Sequence, residues 1–199
     1  MRPEDTHGVR SLLMDSFFID EPLAACLQLG QPREFADVII ADALRDRCSF
    51  VVYDQQSNDV VGVSLNEIRR RNDNPPPIDE SNEKLHFILH LLESMHQPVN
   101  LFDELQTDSL LHIFIINVKK SLRGHRLGSR MISASVQHAQ NMHIKGVYAE
   151  ATNLHSFRCF QQEQFQVYHC IQYIDYDPVR LATLTGEHQK QCQLVARLT

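Results

Sequence analysis

Apolar residues recur at helical spacing up to Arg45 and at strand spacing just beyond it. Val9, Leu12, Leu13 and Phe17 form one stripe through Pro3 to Phe18, and the Pro-Glu-Asp opening suits a helix start. A second, short helix fits Pro22 to Leu29. A third fits Phe35 to Arg45, with Val38, Ile39, Ala41 and Leu44 facing inward. The period then changes to two. Ser49 to Tyr53 (SFVVY) and Val60 to Ile68 (VVGVSLNEI) flank a turn-like Gln55 to Asp59 and predict an antiparallel hairpin. Lys84 to Met95 returns to helical spacing through Leu85, Ile88, Leu89 and Leu92. Leu110 to Val118 (LLHIFIINV) is nearly continuous in apolar residues, the pattern of a strand covered on both faces. A helix over Arg126 to Met142, a strand over Gly146 to Ala151, a helix over Ser156 to Gln164 and strands over Val167 to Asp175 and Gln191 to Leu198 complete the series. The clear interruption is Arg69 to Asn82 (RRRNDNPPPIDESN), a loop within the domain, since its prolines forbid a regular element. There is no internal repeat. The order predicts a single α/β (mixed α+β) domain, residues 1–199, around one mixed sheet.

Composition narrows the function. Apolar residues make up 43% of the 199, enough for a full core, and charged residues 22%. No apolar run reaches the length of a membrane span, and the polar, acidic N-terminus is not a secretory signal. The formal charge of −6 argues against broad binding of nucleic acid. Five scattered cysteines without CxxC spacing suit a reduced, cytoplasmic protein.

Against that acidic background one segment is basic. Asn117 to Ser129 (NVKKSLRGHRLGS) carries Lys119, Lys120, Arg123 and Arg126, with Arg130 next along. A buried strand ends near Val118, a polar turn follows, and a helix starts between Gly124 and Gly128. Backbone N–H groups at such a start have no helical partner, and the macrodipole adds partial positive charge. Asn117, Val118, Arg123, Gly124, His125, Arg126, Leu127, Gly128 and Ser129 are therefore the candidate residues for a diphosphate. The pattern is neither a Walker A loop nor a three-glycine dinucleotide fingerprint. A solvated helix start with glycines for close packing is the structural alternative.

A second segment, Gly146 to Phe165 (GVYAEATNLHSFRCFQQEQF), extends the pattern. Strand, RGHRLGS, helix, strand, then Asn153, Ser156, Phe157, Phe160 and Phe165 resemble the core of the GNAT-type N-acetyltransferases. Their motif is Gln/Arg-x-x-Gly-x-Gly/Ala, followed by Asn-x-x-Ala-x-x-x-Tyr-x-x-x-Gly-Phe. Near the N-terminus, Phe17 to Leu23 (FFIDEPL) resembles the Phe-x-x-Asp-Glu-Pro-Leu segment of the insect arylalkylamine N-acetyltransferases. The resemblance implies a GNAT-like fold with splayed middle strands in a mostly antiparallel sheet. It implies acetyl-CoA bound by the basic loop together with Asn153 and Ser156, and no metal. It assigns Glu21 as the catalytic base, Ser156 as a group near the coenzyme sulfur and His188 as a proton relay near the amine. Three positions depart from the motif: Arg126 stands for its first Gly, Phe160 for a Tyr that protonates the leaving thiolate, and Gln164 for the Gly before Phe165.

The expected activity is direct transfer of acetyl from acetyl-CoA to a small primary amine of the dopamine, serotonin, tyramine or octopamine class, by a monomer. Spacing alone makes Glu21 a cap for a helix opening at Pro22, and the two roles are compatible. Thr152 is read as a cap of the following helix, and the oxyanion donor as a backbone N–H near Val118. Two other readings remain: the same fold acting on a polyamine or agmatine, and an acyl-CoA-binding module without chemistry. His86 and His90, four apart, lack a third metal ligand, and no G-x-S-x-G elbow supports a hydrolase.

Overall fold

The computed structural model describes residues 1–73 and 82–199. A six-stranded sheet, in spatial order β1-β2-β3-β4-β6-β5, carries the fold. The strands are β1 (Phe50–Tyr53), β2 (Val60–Arg70), β3 (Ser109–Val118), β4 (Gly146–Ala151), β5 (Gln166–Gln172) and β6 (Gln191–Leu198). All neighbours are antiparallel except β3 and β4. That parallel pair needs a crossover, which α7 (Leu127–Asn141) supplies. The mostly antiparallel mixed sheet and flanking helices are those expected.

The β3–β4 pair is short. It holds Leu110↔Gly146, Leu111↔Val147 and His112↔Tyr148, and then the strands part. Phe114 is extra in the ladder between β2 and β3, because Leu65 faces Ile115 while Asn66 faces Ile113. Such a bulge bends a strand and increases its twist. Here it sits immediately beyond the last β3–β4 pair, where β3 turns away. The N–H of Lys119 still reaches Val61 O on β2 at 2.8 Å. Alternation along the strand therefore sends the N–H groups of Ile116 and Val118 to the other edge, the one β4 has left.

On one face, α1 (Thr6–Leu12), a π-helical stretch (Leu13–Phe17), α2 (Phe18–Asp20) and α4 (Arg33–Arg45) cover the hairpin end, while α3 (Pro22–Cys26) packs Leu23 into a separate core with Tyr173 and Leu181. Val9, Leu13, Ile40, Val63 and Ile115 are the centre of the hairpin-end core. α5 (Glu83–Ser94) and the short α6 (Leu101–Glu104) follow the hairpin. α7 and α8 (Leu154–Gln162) pack Ile132, Ala139 and Phe160 onto the centre of the sheet. Asn117 is buried, and its amide donates to Ser16 Oγ at 2.7 Å and Leu12 O at 3.3 Å, which ties the π-helical stretch to β3.

Several expectations need correction. Val38 is 58% exposed, because Ala36, Ile39, Ile40 and Ala43 supply the inward face of α4. In α5, Leu91 is buried while Leu89 and Leu92 face open cavities. Arg69 and Arg70 belong to β2 rather than a loop, and Arg69 pairs with Glu67 at 2.8 Å. Arg71 to Asp73 form a turn and Asn82 caps the next helix, and residues 74–81 of that proposed loop lie outside the described residues. The fifth strand stops at Gln172, where a helical turn, α9 (Tyr173–Tyr176), seats the Tyr173 ring in the core.

Candidate active site

The opening between β3 and β4 is the floor of a cleft of about 750 Å³. Three segments far apart in sequence reach it: Phe17 to Ala24, the basic turn after β3, and the start of α8. Glu21 ends α2 in an extended conformation and caps α3. Its Oε2 accepts the Ala24 N–H at 2.7 Å. Pro22 follows at the first helical position, where it loses no hydrogen bond. The cap takes only one oxygen. Oε1 is buried without a hydrogen-bond partner and belongs to the cleft lining. Burial raises the Glu21 pKa above the ordinary 4.5, against the lowering effect of the Ala24 and Leu23 amides and the Thr152 hydroxyl. Cap and candidate base are thus the same side chain, one oxygen for each.

The basic turn is built to leave amides free. After β3, Lys120–Leu122 forms one turn of 3-10 helix, Gly124 takes φ +83° and Arg126 takes φ +59°, and α7 begins. No side chain caps α7, so the N–H groups of Leu127, Gly128 and Ser129 point out of its first turn. Lys119, Lys120, Arg126 and Arg130 are exposed and have no salt-bridge partner among the described residues. Arg123 differs: it pairs with Asp20 at 2.8 Å and donates to Val118 O at 3.1 Å, joining the turn to the Glu21 segment. Gly128 faces α8, where a β-carbon would make an ordinary van der Waals contact of 3.6 Å with Cys159 Sγ, so packing alone does not demand glycine there. Ser129 donates to Gln162 Oε1 at 3.0 Å and clamps the same two helices.

Arg126 occupies a backbone region that costs an L-residue roughly 1–2 kcal/mol and that glycine adopts freely. Arg126→Gly is expected to raise the melting temperature by a few degrees, in keeping with about 1 kcal/mol. If its guanidinium serves an anion, the same variant weakens acetyl-CoA binding several-fold. Calorimetry and an acetyl-CoA titration separate the two effects.

Not every expected residue meets in the cleft. Glu21, Asn117, Val118, Arg123, Gly124, Arg126, Leu127, Gly128, Ser129, Asn153 and Ser156 all line it. His125 does not: it is exposed, and its Nδ1 lies 3.2 Å from Leu122 O and Arg123 O, within its own turn. His188 is exposed too and stands outside the lining, its ring stacked 5.1 Å from that of His155. His155 itself lines the cleft. Asn153, not Thr152, caps α8, accepting the Ser156 N–H at 2.9 Å. Thr152 is free of that duty and places its hydroxyl toward Glu21, while its carbonyl accepts from Tyr173 Oη at 2.8 Å. The Ser156 hydroxyl donates to Asn153 O at 2.9 Å. Phe160 is buried against Phe165, 5.0 Å between ring centres, so no hydroxyl stands at that position.

A second cavity of about 640 Å³ opens on the far side of the parting strands. Phe35, Leu85, Leu89, Leu92, Phe114 and Glu150 line both cavities, so the two meet there. Its walls are mainly apolar, with Val38, Ile39, Phe102 and Tyr148 among them. Among the described residues no group of three side chains could hold a metal ion, and no helix is long and apolar enough to cross a membrane.

No family model matches the chain. Solved structures do. Arylalkylamine N-acetyltransferase 2 from Aedes aegypti is 23% identical with a TM-score of 0.86, over 100% of this chain and 96% of that one. A Drosophila melanogaster polyamine N-acetyltransferase that forms N-acetylagmatine is 17% identical with a TM-score of 0.80, over 100% and 97%. The C-terminal condensation domain of Ebony, in complex with β-alanyl-dopamine, is 20% identical with a TM-score of 0.81, over 100% and 96%. With its parted central strands, uncapped α7 and carboxylate at the head of α3, the chain has the fold of the GNAT N-acetyltransferases.

Proposed function

We propose that the protein transfers acetyl from acetyl-CoA directly to a small arylalkylamine, with Glu21 as general base. The observation that carries this reading is the unpartnered Oε1 of Glu21, buried in the same cleft as the free amides of α7. The Leu127, Gly128 and Ser129 amides, with Arg126 beside them, suit the diphosphate. The Ile116 and Val118 N–H groups, freed by the parting of β3 from β4, suit the pantetheine chain and the thioester oxygen. An oriented N–H at that oxygen stabilises the charge that develops on it.

Acetyl-CoA supplies the activated carbonyl; the chain supplies position and proton management. An alkylamine arrives as ammonium, with a pKa of about 10.4, and must lose a proton to attack. Glu21 takes that proton at Oε1, directly or through one water, and its raised pKa makes it a better base near neutrality. The amine nitrogen bonds to the carbonyl carbon, the carbon–sulfur bond breaks, the thiolate leaves with the electron pair, and the nitrogen sheds its second proton to the thiolate or to solvent, leaving the neutral amide. Phe160 cannot protonate that thiolate. Ser156 is the candidate donor among the hydroxyls that line the cleft, Thr152 being turned to Glu21 and Ser129 to Gln162, and solvent is the other proton source. Cys159 also lines the cleft, yet its Sγ packs against Gly128, which favours transfer in a ternary complex over an acetyl-cysteine.

An aromatic or alkyl tail suits the second cavity, walled by Phe35, Phe102, Phe114 and Tyr148. A thiol-release assay with phenethylamine, tyramine, spermidine and agmatine tests the whole reading. Release of coenzyme A is expected with the arylalkylamines and much less with the polycations. No release with any amine would leave an acyl-CoA-binding module; preference for agmatine or spermidine would overturn the substrate class alone.

A further inference from the structure

At the point where β3 and β4 separate, a buried row of charged side chains crosses the sheet. Glu67, His112 and Tyr148 lie side by side in register on β2, β3 and β4. The His112 ring stacks on the Tyr148 ring, 4.3 Å between centres and 1° from parallel. One ring N–H donates from Nδ1 to Glu67 at 2.8 Å and the other from Nε2 to Glu150 at 2.6 Å. Glu150 stands two residues past Tyr148, on the part of β4 that has left β3. Its second oxygen accepts from His96 Nε2 at 2.6 Å. Arg69 closes the far end of the row against Glu67. Apart from the Tyr148 ring, which walls the second cavity, none of these groups has a part in the mechanism above.

The location of Glu150 is informative. Its side chain is 6% exposed, and it borders both cavities at their junction. An amine whose tail fills the second cavity and whose nitrogen faces the cleft spans this junction, where Glu150 is the one charged residue, among those described, that lines both cavities. Each of its oxygens keeps a lone pair after accepting from one histidine. The Phe114 ring lines the same junction, whereas the Tyr148 ring is stacked on His112.

We propose that Glu150 is the binding residue for the ammonium form of the acceptor, and that His112 is a positioning residue which holds the Glu150 carboxylate at the junction. This rests on the amine-acetyltransferase reading and extends it by dividing the work of two carboxylates. Glu150 captures the cation, and Glu21 removes its proton. His112 bonds Glu150 on the diverging strand back to β3 and keeps the row nearly neutral. An unpaired pair of buried carboxylates there would instead repel each other and draw the junction apart.

The test compares Glu150→Gln and Glu21→Gln with the wild type. Glu150→Gln keeps the shape and leaves His112 its Glu67 partner, so it is expected to fold. Two readouts are taken: kinetic constants with phenethylamine, and binding of phenethylammonium and its neutral isostere 2-phenylethanol to the protein saturated with coenzyme A. Loss of one charge-assisted hydrogen bond to the ammonium corresponds to about a 10–100-fold rise in the phenethylamine KM. The acetyl-CoA KM is expected to hold within about twofold. The wild type should prefer the ammonium over the alcohol, Glu150→Gln should lose that preference, and Glu21→Gln should keep it while losing turnover. A phenethylamine KM unchanged in Glu150→Gln, or a cation preference that survives it, overturns the inference. Absence of acetylation by the wild type with every amine would instead overturn the amine-acetyltransferase reading itself, so the two failures are distinct.

Discussion

Glu21→Gln is expected to lower kcat by about 10²–10⁴-fold, the usual contribution of a positioned general base. Acetyl-CoA affinity should stay within about twofold, because the residue contacts α3 rather than the basic turn. Gln keeps the acceptor for the Ala24 N–H, so the cap survives and the loss reports chemistry. Glu21→Ala removes the cap as well and is expected to add roughly 1 kcal/mol of destabilisation. The pH dependence gives an independent reading. Because the folded pKa of Glu21 is raised above 4.5, the native state binds its proton more tightly than the unfolded chain. The ionised carboxylate therefore reduces stability, with no penalty below pH 4.5 and a penalty that grows as pH rises through the folded pKa. Glu21→Gln should match the wild type in acid and exceed it in stability at pH 7, and should lose the acid limb of the kcat/KM profile. An unchanged turnover would remove Glu21 from the mechanism; an unchanged acid limb would assign that limb to another group.

A residue that is less stable when it is charged, yet is held in a cleft, illustrates what local sequence does and does not carry. The hairpin, β4, β6 and α7 follow from apolar periodicity, and their limits in the structure fall within two residues of those read from the pattern. The basic turn is equally legible, since free amides follow from a strand-turn-helix order with glycines. The parting of β3 and β4 is not. It depends on a bulge at Phe114 and on a pairing that stops at His112, and neither leaves a periodic mark. Only the family resemblance pointed to it. Thr152 and Asn153 compete for one cap, and spacing cannot choose between neighbours. His188 drew notice as a histidine late in the chain, while His155, which lines the cleft, sits one residue before Ser156 within the motif itself. The buried row was the most deeply hidden feature. In LLHIFIINV, His112 reads as a blemish in an apolar strand, because its partners Glu67 and Glu150 lie 45 and 38 residues away in sequence.

That blemish is expected to be the most sensitive position for stability. His112→Gln should cost about 3–5 kcal/mol, the usual effect of removing one member of a buried charged network. Glu67 from β2 and Glu150 from β4 would then face each other across the wall of the second cavity without their cation, with Arg69 and His96 at the ends of the row. The sign of the pH effect follows from the groups that face one another. The carboxylates on either side raise the His112 pKa to about 9 from 6.5, although burial alone would lower it. Its contribution is fully present below pH 6.5 and is lost as pH rises through about 9. Glu67 and Glu150 have lowered pKa values, held down chiefly by His112, so their contribution is present above 4.5 and is lost on acidification. The two windows overlap between pH 4.5 and 6.5, where the row contributes most. Urea unfolding of wild type and His112→Gln at pH 6 and pH 10 should thus give a large difference at the first and a much smaller one at the second. Replacing Glu67 and Glu150 by Gln in the His112→Gln background should restore part of the loss, since a neutral set removes the charges left unpaired. A difference that ignores pH, with no recovery in the triple variant, would mean that His112 contributes through packing on Tyr148 and not through its charge.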